Sequence, residues 1–303
     1  MKLGFVSALF GDLILEEVVE FASSNGYRCI EVCCWPNSKA EQKFSGVSHI
    51  DVASLDKEKA DIINNYFAAK GVEISALGYY PNPLDPDEGS RNFYISHIMK
   101  VIDASVLLGI NRINTFIGRD HKKSIDENFE IFGSVWKPLI QYAESRKVKV
   151  GIENCPMLFS PDQWPGGNNL ATTPAIWRRM FSEIPCEYFG LNYDPSHLLW
   201  LQIDYLKPLY EFRDKIFHVH LKDAVVNRDK LEDIGIMAMP GDFHSAKIPG
   251  NGDINWGKFF SALNDIKYQG AVCVEVEDRA FEGELENRKN SLIISRRYLS
   301  QYI

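Results

Sequence analysis

The sequence predicts an α/β protein of the (β/α)8 TIM-barrel class, folded as one domain over residues 1–303. Three observations predict it. Short apolar, β-branched runs alternate with helical patterns along the whole chain, the order that produces a parallel sheet covered by helices. The length of 303 residues suits eight such units. A doubly wound open sheet would usually carry a G-x-G-x-x-G turn after its first strand, whereas this chain reads SALFGDL there.

The first run, 3–7, sits inside MKLGFVSALFGDLIL, which has the lysine and apolar stretch of a leader. Asp12 interrupts it early and no small-residue cleavage site follows, so it reads as a first strand leading into a loop. The remaining strands are placed at 29–33, 73–77, 112–116, 149–153, 189–194, 216–221 and 272–276. Helices are placed between and after them at 15–24, 57–70, 93–108, 127–146, 174–182, 205–212, 256–266 and 285–301. Two segments, 78–92 and 224–255, are rich in Gly and Pro and read as long loops, where binding residues often lie.

Composition bounds the function. Hydrophobic residues make up 45% and charged residues 24%, enough for a full core. The formal charge of −8, with no Lys/Arg-rich run, excludes an electrostatic drive toward nucleic acid or an anionic membrane. No apolar stretch approaches the roughly 20 residues needed to span a bilayer. Cys29, Cys33, Cys34, Cys155, Cys186 and Cys273 form no CxxC pair and read as thiols in a reducing compartment, which places the protein in the cytoplasm.

Chemistry concentrates in the last four strands. VKVGIE ends in Glu153, YFGLNYD ends in Asp194, IFHVHLKD carries His218, His220, Lys222 and Asp223, and VCVEVED carries Glu275, Glu277 and Asp278. A single acid at a strand end is usually a helix N-cap or a solvated loop residue. Four in consecutive strands converge on one point, because barrel sites sit at the C-terminal strand ends. Such a set is oxygen-rich with one nitrogen, which suits Mn²⁺ first, with Mg²⁺, Co²⁺ or Zn²⁺ as alternatives, rather than the thiolate sets of structural zinc. Alternation along a strand puts His218, His220 and Lys222 on one side at successive depths, and Glu275 with Glu277 likewise. Spacing alone leaves open which histidine and which glutamate would bind.

The segments GIENCP, LNYDPSHLLW, FHVHLKD, IPGNGDINW and VCVEVED, in this order, resemble the sugar phosphate isomerase/epimerase family of the xylose-isomerase-like barrel superfamily. The resemblance implies one divalent ion held by Glu153, Asp194, His220 and Glu275, with His197 of D-P-S-H beside a substrate, Lys222 near it and His218 deeper in the barrel. Departures are visible. The histidines that zinc endonucleases of this superfamily carry after strands three and four are missing, and His121 lies beyond the fourth strand end. Asp242 and His244 stand farther from the following glycine turn than the nuclease pattern expects. Ketose 3-epimerases usually place an acid soon after the first glutamate and an arginine soon after the histidine ligand; here PMLFS and the distant Arg228 stand there.

The implied reaction is a metal-dependent isomerisation or epimerisation of a small carbohydrate or keto-sugar. Glu153 and Glu275 would pass a proton beside a carbonyl through a metal-stabilised enediolate. The alternative is a dehydratase or lyase acting on an inosose or 3-keto-glycoside at the same site, and a metal-dependent endonuclease ranks last. Trp35, Tyr79, Tyr80, Trp164 and Trp200 are the aromatics expected near the mouth, with Trp35 a candidate substrate contact alongside His197 and Lys222. A homo-oligomer is compatible with the sequence.

Overall fold

The computed structural model describes residues 1–36, 46–158 and 160–303. Strands β1 (Lys2–Val6), β2 (Cys29–Cys33), β3 (Glu73–Gly78), β4 (Arg112–Thr115), β5 (Lys149–Glu153), β6 (Phe189–Tyr193) and β7 (Ile216–Leu221) follow in order. A short ribbon of β8 (Asp223–Val226) and β9 (His244–Lys247) intervenes before β10 (Ala271–Val274). The first seven strands and β10 close into a barrel, with β1 against β10 in parallel from Lys2↔Ala271 to Phe5↔Val274. The eight strands expected from the sequence are therefore the eight staves, with ends shifted by at most two residues.

Both faces of the staves are covered, so β2, β6 and β7 are buried at every position. Two glycines make room inside the barrel. A Cβ on Gly4 would lie 2.4 Å from the Cys29 carbonyl oxygen and 2.9 Å from Cys273 Sγ, and one on Gly78 would lie 2.6 Å from Glu31 Oε1.

Helices α1 (Leu15–Ser24), α2 (Lys57–Lys70), α3 (Glu88–Leu107), α4 (Ile125–Ser145), α5 (Pro174–Glu183), α6 (Pro195–Trp200), α7 (Lys207–Glu211), α8 (Arg228–Ile234), α9 (Pro240–Phe243), α10 (Trp256–Asp265) and α11 (Leu285–Leu299) complete the chain. Trp136, Trp177 and Trp256 are fully buried in the layer between helices and barrel. The expected loop 78–92 is shorter than read, because Asp87 Oδ2 accepts from Ser90 N at 2.7 Å and starts α3 five residues early. Ser124 and Glu127 form a capping box that likewise starts α4 at Ile125.

The segment 224–255 is a correction: it is a folded excursion, not a loop. β8 and β9 pair antiparallel from Asp223↔Lys247 to Val226↔His244, with α8 and α9 between them. Buried Asp223 anchors its base, accepting from Ala224 N, Gly250 N, Ile254 N and Trp256 Nε1 at 2.8–3.1 Å. Among the described residues no helix is long and apolar enough to cross a membrane, and all six cysteines are free.

Candidate metal centre and substrate cavity

Strand β7 sets the depth scale of the site. His218 lies deepest; its Nδ1 is 3.0 Å from Asn192 Oδ1 and its Nε2 3.0 Å from Ser75 Oγ. Two residues up, His220 Nε2 donates to Glu31 Oε2 at 2.9 Å, and its Nδ1 faces Glu275 Oε2 at 3.3 Å and Glu153 Oε1 at 3.6 Å. A further two residues up, Lys222 is only 2% exposed. Its Nζ sits 2.7 Å from Glu275 Oε2, 3.1 Å from Glu277 Oε2 and 3.2 Å from Asp194 Oδ2. Lys222, expected near a substrate, is a buried cation among carboxylates and is not one of the residues that line the cavity above them.

Glu153 closes β5 and is held from behind: Asn169 Nδ2 donates to its carbonyl at 2.9 Å. Asn154 bridges to the end of β6, accepting from Asp194 N at 2.8 Å and donating to Asp194 O at 2.9 Å. Asp194 uses its two oxygens differently. Oδ1 accepts from Ser196 N at 2.7 Å and caps α6, while Oδ2 turns to the cluster. The N-cap role and the cluster role are thus filled by one side chain.

Ligand atoms of Glu153, Asp194, His220 and Glu275 all lie within 4.8 Å of one another. That is close to the about 4.2 Å separating opposite ligands of an octahedral ion with bonds near 2.1 Å. Glu153 Oε1, Asp194 Oδ2 and His220 Nδ1 are buried and have no hydrogen-bond partner. Buried polar atoms are normally paired, so three orphaned acceptors aimed at one point fit a cation. The hydrogen bond from Nε2 to Glu31 would leave the Nδ1 lone pair free for it, the carboxylate–histidine–metal arrangement. Glu31 with His218 and His220, and Glu153 with Cys155 and His197, also come within the same spacing. Glu31, however, is already engaged by Asn114 Nδ2 at 2.8 Å, by His220 and by the Tyr80 hydroxyl.

The electrostatics follow from burial and these contacts. Burial disfavours the His220 imidazolium, but Glu31, Glu275 and Glu153 outweigh it and push His220 well above the ordinary imidazole range. Burial opposes ionisation of Glu275, yet Lys222 and His220 hold its carboxyl below the usual range. Burial raises Asp194 against the pull of Lys222. His197, with Nε2 3.3 Å from Asp194 Oδ2, is pushed down to about 4 by burial and then by Lys222. It is neutral at pH 7, and neither of its ring nitrogens makes a hydrogen bond.

Above the cluster opens a cavity of about 320 Å³. Glu153, Glu275, His197 and Tyr80 line its floor, more exposed Glu277 stands nearer the mouth, and Trp35, Phe116, Trp200 and Met157 line its walls. Of the aromatics expected at the mouth, Trp35, Tyr80 and Trp200 line the cavity. Tyr79 instead packs edge-on beneath Trp35 with ring centroids 4.9 Å apart, and Trp164 donates Nε1 to Met237 O at 3.0 Å. Arg228 is spent on Gln202 Oε1 at 2.6 Å. His121 Nδ1 lies 3.3 Å from Asn168 Oδ1, outside the cluster.

Sequence reasoning missed Glu31 and His244. An acid inside the otherwise apolar run CIEVCC was the available signal for Glu31, since unpaired buried glutamates are rare. In the sequence His244 stands out only against the nuclease pattern and not as a cavity residue, because the ribbon that carries it reads as loop.

The family model for the xylose isomerase-like TIM barrel matches residues 19–301. An inosose dehydratase of Clostridium perfringens is 32% identical over 82% of this chain and 84% of its own. Among solved structures, the IolI protein with a binding zinc atom covers 100% of this chain and 99% of its own at 20% identity and a TM-score of 0.73. D-Psicose 3-epimerase with D-tagatose, from Clostridium cellulolyticum H10, covers 100% and 99% at 13% identity and a TM-score of 0.72. At such identities the two structures show a shared fold.

Proposed function

Since the chain belongs to the xylose isomerase-like TIM barrel family, we propose that it is a divalent-metal-dependent enzyme that moves a proton beside the carbonyl of a small keto-sugar, as an isomerase or epimerase. One observation carries the reading: three buried atoms of Glu153, Asp194 and His220 that make no hydrogen bond converge with Glu275 at the floor of a cavity. These four residues would hold the ion, with Mn²⁺ the first candidate for an oxygen-rich set and Mg²⁺, Co²⁺ or Zn²⁺ as alternatives. When bound, a divalent cation supplies Lewis acidity that offsets the negative charge developing on a substrate oxygen.

The chain's own groups do the rest. Glu153 and Glu275 both line the cavity, which supports a role for each in taking or returning a proton at a carbon of the sugar. Glu275 remains a base at neutral pH because Lys222 and His220 overcome its burial. Lys222 ties Glu275 to Asp194 and Glu277, which limits carboxylate movement. Neutral His197 has one N–H and one lone pair to orient a sugar hydroxyl. Met239 and Pro240 of the 224–255 excursion line the mouth and restrict water.

A second reading is favoured by the relatives named inosose dehydratases, such as that of Clostridium perfringens. In it the same proton abstraction is followed by loss of water β to the carbonyl. Incubating Mn²⁺-loaded protein in D₂O with a ketose panel and with an inosose, followed by NMR, separates the two. Deuterium beside the carbonyl with the carbon skeleton and hydroxyls intact supports isomerisation or epimerisation, and loss of water supports dehydration. No exchange into any keto-sugar would overturn both. Glu153→Gln and Glu275→Gln are expected to abolish exchange while elemental analysis still finds part of the metal; full activity in either variant removes that residue from the mechanism.

A further inference from the structure

The cavity is larger and less polar than the reacting end of a sugar requires. Resting on the reading above, we propose that its outer half is a subsite for an uncharged second ring joined to the reacting sugar, either an aglycone ring or a further sugar.

Volume is the first argument. At interior packing density a hexose of twelve heavy atoms fills on the order of 190 Å³. The cavity holds about 320 Å³, so about 130 Å³ remains, room for an aryl ring or for the inner part of a second sugar that extends out through the mouth.

The walls supply the second argument. The His244 imidazole stacks on Trp200 with ring centroids 4.7 Å apart and planes at 18°. Both rings line the cavity, as do Trp35, Phe116, Met157 and Leu158. Aromatic faces and thioethers pack against the C–H face of a pyranose or against an aryl ring. The Trp200–His244 pair joins α6, just after the cluster, to the far strand of the β8–β9 ribbon. The subsite is therefore built jointly by segments that follow the barrel strands and by the excursion, which contributes His244.

Charge is the third argument. Among the described residues lining the cavity there is no Lys or Arg, whereas Glu153, Glu275 and Glu277 are present. Lys222, the nearest cation, is occupied by three carboxylates. His244 has Nδ1 2.6 Å from the Pro240 carbonyl, and burial holds it below the ordinary imidazole range. A phosphate or carboxylate on the outer part of the substrate would meet Glu277 with no counter-charge among the described residues that line the cavity. Sugar phosphates and sugar acids are thus disfavoured.

The test is calorimetric titration of Mn²⁺-loaded protein with non-reacting probes: methyl β-D-glucoside, phenyl β-D-glucoside, cellobiose, glucose and glucose 6-phosphate. Phenyl glucoside, cellobiose or both should bind about tenfold more tightly than methyl glucoside, the value of one well-packed ring. Preference for phenyl glucoside identifies an aglycone site, and preference for cellobiose a second-sugar site. Trp200→Ala and His244→Ala should each remove the preference, and Trp200→Phe should restore most of it. If methyl glucoside binds and neither larger probe gains more than about twofold, the subsite is overturned while the proposed function stands. Glucose 6-phosphate binding tighter than glucose by about tenfold would also overturn it. If none of the five probes binds, the subsite is overturned, and exchange into keto-sugars decides the proposed function separately.

Discussion

Removing the Glu31 carboxylate tests whether the metal site depends on a residue that touches no ion. Glu31 is fully buried in β2 and accepts from His220 Nε2 at 2.9 Å, from Asn114 Nδ2 at 2.8 Å and from the Tyr80 hydroxyl. In Glu31→Leu the carboxylate gives way to an apolar group of similar size, so all three donors lose their acceptor. The His220 ring then loses the acceptor that holds Nδ1 toward Glu153 and Glu275. Loss of such an outer partner costs about 10–100-fold in metal affinity, which is ~1.4–2.7 kcal/mol. Breaking a buried charged network on one side costs about 3–5 kcal/mol of stability. At ~2–4 °C per kcal/mol for a large domain, Tm without metal should fall by roughly 6–20 °C. Mn²⁺ titration against a competing chelator and thermal unfolding read the two effects, with near-UV circular dichroism confirming a folded variant. A folded Glu31→Leu protein whose Mn²⁺ Kd stays within about twofold of the parent would refute the coupling drawn through His220.

Other outcomes follow from the same network. His220 must be neutral at Nδ1 to bind a cation, yet the surrounding carboxylates keep its proton well above the ordinary range despite burial. A proton therefore competes with the metal through neutral pH, and Mn²⁺ affinity should rise from pH 6 to 8 by up to about tenfold per unit for one displaced proton; a flat profile in calorimetry would contradict this. Lys222→Met removes the ammonium shared by Asp194, Glu275 and Glu277. It should lower Tm without metal and enlarge the rise in Tm on adding Mn²⁺, since the ion then supplies the only positive charge in the cluster; an unchanged or smaller rise would count against it. Gly4→Ala places a methyl 2.4 Å from the Cys29 carbonyl oxygen and should destabilise by about 1–3 kcal/mol, seen as a Tm lower by several degrees.

Periodicity in the chain was enough for the barrel and for the rough location of its chemistry. The staves carry near-continuous apolar runs with turn residues between them, and that pattern is local in sequence. It also placed His218, His220 and Lys222 on one side of β7 and put four metal-capable residues at adjacent strand ends. Local signals did less well where pairing is between distant segments. The β8–β9 ribbon lies in a stretch dominated by Gly and Pro, and its order comes from a cross-strand ladder and the Asp223 anchor. Tyr79 and Trp164 have the same composition signal as Trp35 and Trp200, but only the latter two face the cavity. Glu31 stands 189 positions from His220, and no window of sequence connects them. Alternation tells a residue which face of its strand it occupies; the closure and stagger of the ring decide the height at which that face meets its neighbours. For that reason the choice of His220 over His218, the placing of Glu275 in the cluster with Glu277 nearer the mouth, and the partnership with Glu31 belong to the tertiary structure.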